Sequence, residues 1–203
     1  MNYKLTVVIP VYNQENLITR ALKSVPNRED IEIIIINDGS TDATHDKILE
    51  FMDNLDNKYE VVYFNLENNK GVSNAVNTGL AFAQGEYVVL LGSDDYFLPS
   101  IENVIECAQG EDLVYFDLEI NDGTIFHLDN ESKHTYCGSV KLMKRAFIDG
   151  LKNDINRPYG EDYYFFKDLL KRNPKEKFTN IIAKHYNFPR EGSLSWQQRN
   201  SKK

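Results

Sequence analysis

Residues 31–42 read Ile31-Glu32-Ile33-Ile34-Ile35-Ile36-Asn37-Asp38-Gly39-Ser40-Thr41-Asp42. Five isoleucines in six positions, followed at once by a polar, glycine-containing turn, describe a strand buried on both faces that ends at a loop. Three further runs share its character: Leu5–Ile9, the weaker Tyr59–Phe64, and Tyr87–Leu91. Their starts fall near positions 4, 31, 59 and 87, a spacing of 27 or 28 residues. The intervals carry helical periodicity. Leu17, Ile18, Ala21, Leu22 and Val25 share one face; Ile48, Leu49, Met52 and Leu55 share the next; Val72, Ala75, Val76, Gly79, Leu80 and Ala83 mark a third. The pattern β-α-β-α-β-α-β predicts an open α/β sheet, mainly parallel and flanked by helices.

Regular alternation stops near residue 110. Pro99-Ser100 opens a short helix with Ile101, Val104, Ile105 and Ala108 inward. Leu113–Glu119 and Thr124–Leu128 flank Asn121-Asp122-Gly123, a hairpin signal. Residues 129–137 read as a loop, Val140–Asp149 as a helix, Glu161–Arg172 as another, and Phe178–Phe188 as a last strand. No Gly/Ser/Pro-rich linker separates the halves. The expectation is one domain over 1–203, with a nucleotide-binding-like half over about 1–110 and a smaller, irregular α+β half over about 111–203.

Composition narrows the function classes. With 23 Lys plus Arg against 31 acids, the formal charge of the 203 residues is 23 − 31 = −8, which disfavours nucleic acid or anionic lipid as a non-specific partner. Cys107 and Cys137 have the spacing of neither a zinc site nor a disulfide framework, which suits a reducing compartment. No apolar run approaches the roughly 18–20 residues of a membrane span, and no leader is visible. The expected location is cytoplasmic.

Ligands on open α/β sheets bind beyond the carboxyl ends of the strands. The segments there are Pro10-Val11-Tyr12-Asn13, Asn37–Asp42 and Gly92-Ser93-Asp94-Asp95. There is neither a Gly-x-Gly-x-x-Gly after the first strand nor a phosphate loop ending in Lys-Ser/Thr. Ser40 or Thr41 reads as a helix cap. That leaves Asp38, whose carboxylate at a strand end can accept the imide N–H of a uracil ring. Asp94 and Asp95 repel each other unless a cation or proton intervenes. Mg²⁺ or Mn²⁺ shared with substrate phosphates is one solution, and a solvated acidic turn is the plainer one. Glu161-Asp162 opens a helix rich in aromatics, where acids are commonplace for dipole reasons; a carboxylate there can also serve as a general base. His185 reads as a core or surface histidine more readily than as a ligand, and Trp196 as either an anchor or an acceptor contact.

In this order the segments resemble the family 2 glycosyltransferases, whose GT-A fold binds nucleotide-diphosphate sugars. The resemblance runs from Leu5 to Pro99 and resumes at Gly160-Glu161-Asp162 and, weakly, at Tyr186–Ser195. It rests on Val8–Asn13, Asn37–Asp42, Gly71-Val72-Ser73-Asn74-Ala75-Val76-Asn77-Thr78-Gly79, Gly85-Glu86-Tyr87 and Gly92–Asp95. The resemblance implies that Pro10, Val11, Tyr12, Asn13, Asp38, Gly71, Ser93 and Asp94 hold the donor. Asp94 and Asp95 would carry Mg²⁺ or Mn²⁺, and Asp162 would be the base. Gly92 stands where the family has the first Asp of its metal motif, and Val76 where many members have an Arg. The implied reaction is inverting, metal-dependent transfer, from a UDP-sugar by preference, to a hydroxyl of a glycan, a lipid-linked acceptor or a protein. Peripheral membrane association is compatible with a lipid-linked acceptor. A nucleotide-sugar-binding protein without transfer activity, or one that needs a partner, is the alternative. A nucleotidyltransferase is a third, disfavoured by Pro10–Asn13, which is no triphosphate loop.

Overall fold

The computed structural model describes residues 3–54, 58–134, 138–157 and 160–191. Elements follow in the order β1 (Leu5–Val11), α1 (Ile18–Lys23), β2 (Ile31–Asn37), α2 (Thr44–Asp53), β3 (Glu60–Asn65), α3 (Val72–Phe82) and β4 (Tyr87–Leu90). After them come β5 (Tyr96–Phe97), α4 (Ile101–Cys107), β6 (Leu113–Ile120), β7 (Ile125–Phe126), β8 (Lys141–Lys144), α5 (Arg145–Ile148), α6 (Glu161–Lys171) and β9 (Glu176–Tyr186).

Among the described residues nine strands form one sheet in the order β3-β2-β1-β4-β8-β6-β9-β5, with β7 paired to β6. The first four are parallel throughout: β2 pairs with β3, and β1 lies between β2 and β4. Ile31, Ile33, Ile34, Ile35 and Ile36 are fully buried, as are Leu5, Val7, Val8 and Ile9. Each such side chain contributes roughly 1.5–3 kcal/mol relative to exposure, enough to commit these runs to the sheet centre. β3 lies at the end of the order, and its half-buried residues account for its weaker apolar run.

The helices present mostly the expected faces. Ile18, Ala21 and Leu22 of α1 are buried, and so are Ala75, Val76 and Gly79 of α3. At Gly79 the helix meets the sheet so closely that a Cβ would lie 2.3 Å from Val8 Cγ1. Leu49 of α2 is a correction: it is exposed, and Phe51 joins Ile48 in its place. Leu55, Cys137 and Trp196 lie outside the described residues.

The segment expected as a helix over Val140–Asp149 is a second correction. Lys141–Lys144 is a strand, and only Arg145–Ile148 is helical. Leu142 and Met143 pair antiparallel with β6 while Met143 also faces Val88 of β4. Two waiting sheet edges override the local helical preference. The hairpin of β6 and β7 and the late strand β9, which runs parallel to β6, match expectation.

Candidate active site

β1, β2 and β4 run in parallel, so their carboxyl ends open on one edge of the sheet. The loops there are laced together. Asn13, at φ 50°, donates its amide N–H to Ser40 Oγ at 2.9 Å, and its side chain accepts the Thr41 N–H at 2.8 Å. Neither Ser40 nor Thr41 caps α2. The Thr44 N–H donates to Asp42 at 3.0 Å and the Ala43 N–H to Glu15 at 2.9 Å, so carboxylates satisfy the free amides of that helix start. Tyr12 is 43% exposed at this edge, whereas Val11 is buried.

Asp38 is placed differently from the expectation. Its carboxylate is 2% exposed and turned toward the loop before α3, where it accepts the N–H groups of Lys70 and Gly71 at 2.9 and 2.8 Å. A buried carboxylate must be hydrogen-bonded, and these amides supply the bonds. Gly71, at φ 90°, makes the turn that aims its N–H at Asp38. The expected crevice-facing acceptor is thus an internal clamp.

The acid turn after β4 splits its two carboxylates. Asp95 points inward to Lys184 Nζ at 2.7 Å, with the two side chains 4% and 2% exposed, and also accepts the Asn187 N–H at 2.9 Å. Burial pushes the Asp95 carboxyl upward, while Lys184 pulls it down. Asp94 stays nearer the surface and pairs with Arg190 Nη2 at 2.8 Å; its carbonyl accepts from Arg20 at 2.7 Å. Ser93, which precedes both in sequence, is buried. A Cβ added at Gly92 would lie 2.9 Å from Asp95 Oδ2 and 3.1 Å from Asp94 Oδ1, so the glycine leaves open the space that the two carboxylates flank.

That arrangement tests the expected metal. Among the described residues no three His, Cys, Asp or Glu side chains converge as metal ligands. A divalent ion that takes most of its oxygens from substrate phosphates and water needs only one or two carboxylates. Asp94, beside the open space at Gly92, fits that lesser requirement. Asp95 is committed to Lys184 and does not point outward.

At the start of α6, Glu161 follows Gly160, which has φ 75°. Asp162 is exposed; its Oδ1 accepts the Tyr163 N–H at 2.8 Å. Its Oδ2 lies 3.1 Å from where a Cβ on Gly138 would stand. Burial raises the Glu161 carboxyl above its ordinary range, and the Asp162 charge adds to the shift. A cleft of about 530 Å³ joins Pro10, Gly92, Val76, Ser139, Asp162 and Lys184. Of the expected site residues, Pro10 and Asp162 line it. Val11, Tyr12, Asn13, Asp38, Gly71, Ser93, Asp94 and Asp95 do not.

Sequence reasoning missed Lys184, Ser139 and Arg190. A lysine inside the apolar run Ile181-Ile182-Ala183-Lys184 was the available signal, since a charge in a buried strand needs a partner. His185, its neighbour, packs on Tyr96 with ring centroids 4.6 Å apart. Burial holds its pKa below the usual imidazole value.

The sequence model described as glycosyl transferase family 2 matches residues 6–165. The minor teichoic acid biosynthesis protein GgaB of Bacillus subtilis is 29% identical over 221 residues, covering 97% of this chain and 24% of that protein. An uncharacterized glycosyltransferase of Haemophilus influenzae is 38% identical over 214 residues, covering 94% of this chain and 80% of its own length. The crystal structure of S. aureus TarS 1-349 with UDP-GlcNAc superposes with a TM-score of 0.80 at 22% identity, over 94% of this chain and 60% of that one. The chain thus spans about a quarter of GgaB and less than two thirds of the TarS fragment.

Proposed function

The chain belongs to glycosyl transferase family 2, and on that premise we propose that it moves a sugar from a nucleotide-diphosphate donor to an acceptor hydroxyl. Its α/β architecture is that of the GT-A fold shared with TarS. The observation that carries the proposal is one cleft of about 530 Å³ lined by both Gly92 of the acid turn and Asp162. Donor diphosphate at the first and acceptor at the second would bring the reacting atoms together, which lowers the entropic part of the barrier.

In this reading the Pro10–Asn13 loop receives the nucleoside, and the exposed ring of Tyr12 offers it a face. Asp38 shapes the neighbouring loop from within. The UDP preference draws support from the TarS complex with UDP-GlcNAc. Mg²⁺ or Mn²⁺ at Asp94 would supply positive charge to the departing diphosphate. Arg190 pairs with Asp94, so ion and guanidinium would share one carboxylate. Asp162, in the first turn of an 11-residue helix, takes the acceptor's proton. A single displacement inverts the anomeric centre. The acceptor is a glycan, lipid-linked or protein hydroxyl met on the cytoplasmic side. A lipid-linked acceptor would be met by peripheral association; among the described residues no helix is long and apolar enough to cross a membrane.

The test is UDP release from a panel of UDP-sugars with Mn²⁺, comparing wild type with Asp162→Asn. Loss of base catalysis lowers kcat by about 10²–10⁴-fold; full activity in the variant sinks the base assignment. A second reading, nucleotide-sugar binding without transfer, is favoured by the pairing of both acid-turn carboxylates with cations. UDP binding by calorimetry with no turnover on any acceptor would select it.

A further inference from the structure

Lys184 is buried, cationic and unused by the proposed chemistry, yet it bonds both the acid turn and the turn that holds Gly138 and Ser139. From β9 its Nζ reaches Asp95 Oδ2 at 2.7 Å and donates a second bond to Ser139 Oγ. Asp95 directly follows the donor-side Asp94. Ser139 directly follows Gly138, where an added Cβ would stand 3.1 Å from Asp162 Oδ2. The Gly138 carbonyl in turn accepts from Lys141 Nζ at 2.9 Å and from the Val140 N–H at 2.9 Å. The turn beside the base is therefore pinned from behind by one ammonium that also pins the acid turn.

We propose that Lys184 is a positioning residue that sets the distance between the acid turn and Asp162. Its action runs through Asp95 and Ser139, the two groups its Nζ bonds. A buried ion pair is a weak source of stability, and a hydrophobic pair of similar volume would pack as well. A buried ammonium has three directed donors, however, and these can tie two loops to one point. The inference rests on the proposed roles of Asp94 and Asp162.

Ser139→Ala cuts the tie on the base side without burying an orphan charge. Lys184→Met combined with Asp95→Asn removes both ties while leaving no unpaired ion. Misplacing a base by a fraction of an ångström to an ångström costs about ten- to a hundredfold in kcat, with donor KM expected within about twofold of wild type. Ser139→Thr, which keeps the hydroxyl, should restore the rate. Hydrogen exchange gives a readout that needs no turnover. In Ser139→Ala the amides of Val140 and Tyr163, bonded to Gly138 and Asp162, should exchange faster, with the melting temperature unchanged. Unchanged exchange at both amides, or a kcat equal to wild type, overturns the coupling. So does a fall in kcat that comes with parallel losses in UDP affinity and melting temperature. Asp162→Asn, run in parallel, separates the two claims. If it keeps full activity, the base assignment fails, and the coupling with it. If it is inactive while Ser139→Ala matches wild type, the coupling alone fails.

Discussion

Replacing Asp38 by Ala should weaken the fold before it weakens nucleotide contact. The wild-type carboxylate is 2% exposed and accepts the Lys70 and Gly71 N–H groups at 2.9 and 2.8 Å. Hydrogen bonds to a charged group contribute about 1.5–3 kcal/mol each. Lys70 and Gly71 are exposed, so water can re-bond their amides in the variant and recover part of the loss. The net destabilisation is then about 2–3 kcal/mol. At a urea slope of about 2 kcal/mol/M the midpoint drops by about 1 M, and the melting temperature by roughly 5–10 °C. Asp38→Asn keeps one acceptor and should fall midway. The assay is urea denaturation of the three proteins, followed by UDP calorimetry at a temperature where all are folded. If the midpoint stays fixed while UDP binding disappears, Asp38 is a direct ligand and the clamp argument is wrong.

Two further outcomes follow from packing and titration. Gly79→Ala should lower the melting temperature: its Cβ would stand 2.3 Å from Val8 Cγ1 and 3.0 Å from Ile36 Cδ1, both on buried, β-branched side chains. Such overpacking costs about 1–3 kcal/mol, more than the helix gains from losing a glycine, and a raised melting temperature would refute the close approach. His185 has its pKa depressed by burial, so the unfolded chain binds protons more readily around pH 6.5. Its stability contribution is complete above the unfolded value and is lost as pH falls through 6.5 toward the folded pKa. His185→Gln should flatten that part of the stability profile, and an unchanged slope between wild type and variant would count against it.

The first half of the fold was legible because burial there is two-sided and continuous. Leu5–Ile9, Ile31–Ile36 and Tyr87–Leu91 lie within a residue or two of β1, β2 and β4, since few environments other than a sheet centre suit such runs. Lys141–Lys144 was not legible. Four residues with a lysine at each end carry no strand signal, and their conformation is decided by the edges of β4 and β6. The site divides in the same way. Which segments converge at the carboxyl edge followed from chain order, as did the placing of Asp162 at a helix start. Which way a carboxylate turns did not. Asp38 and Asp95 each face inward because an amide pair or an ammonium waits there, and those partners come from positions 32 to 89 residues away (184 − 95 = 89).

The sheet order carries a consequence for how the molecule comes to be active. β4 and β5 are neighbours in sequence, joined through Gly92–Asp95, yet β8, β6 and β9 lie between them in the sheet. The acid turn is therefore a bridge whose far pier, β5, rests on β9 at His185 and Lys184, strand residues near the end of the described chain. A nascent chain that has completed β1 to β4 owns the nucleoside edge but has nothing to hold Asp95. Contacts at such sequence separation close late. Assembly of the acid turn thus waits on the strand that also carries Lys184, and that turn and the turn at Ser139 are fixed together.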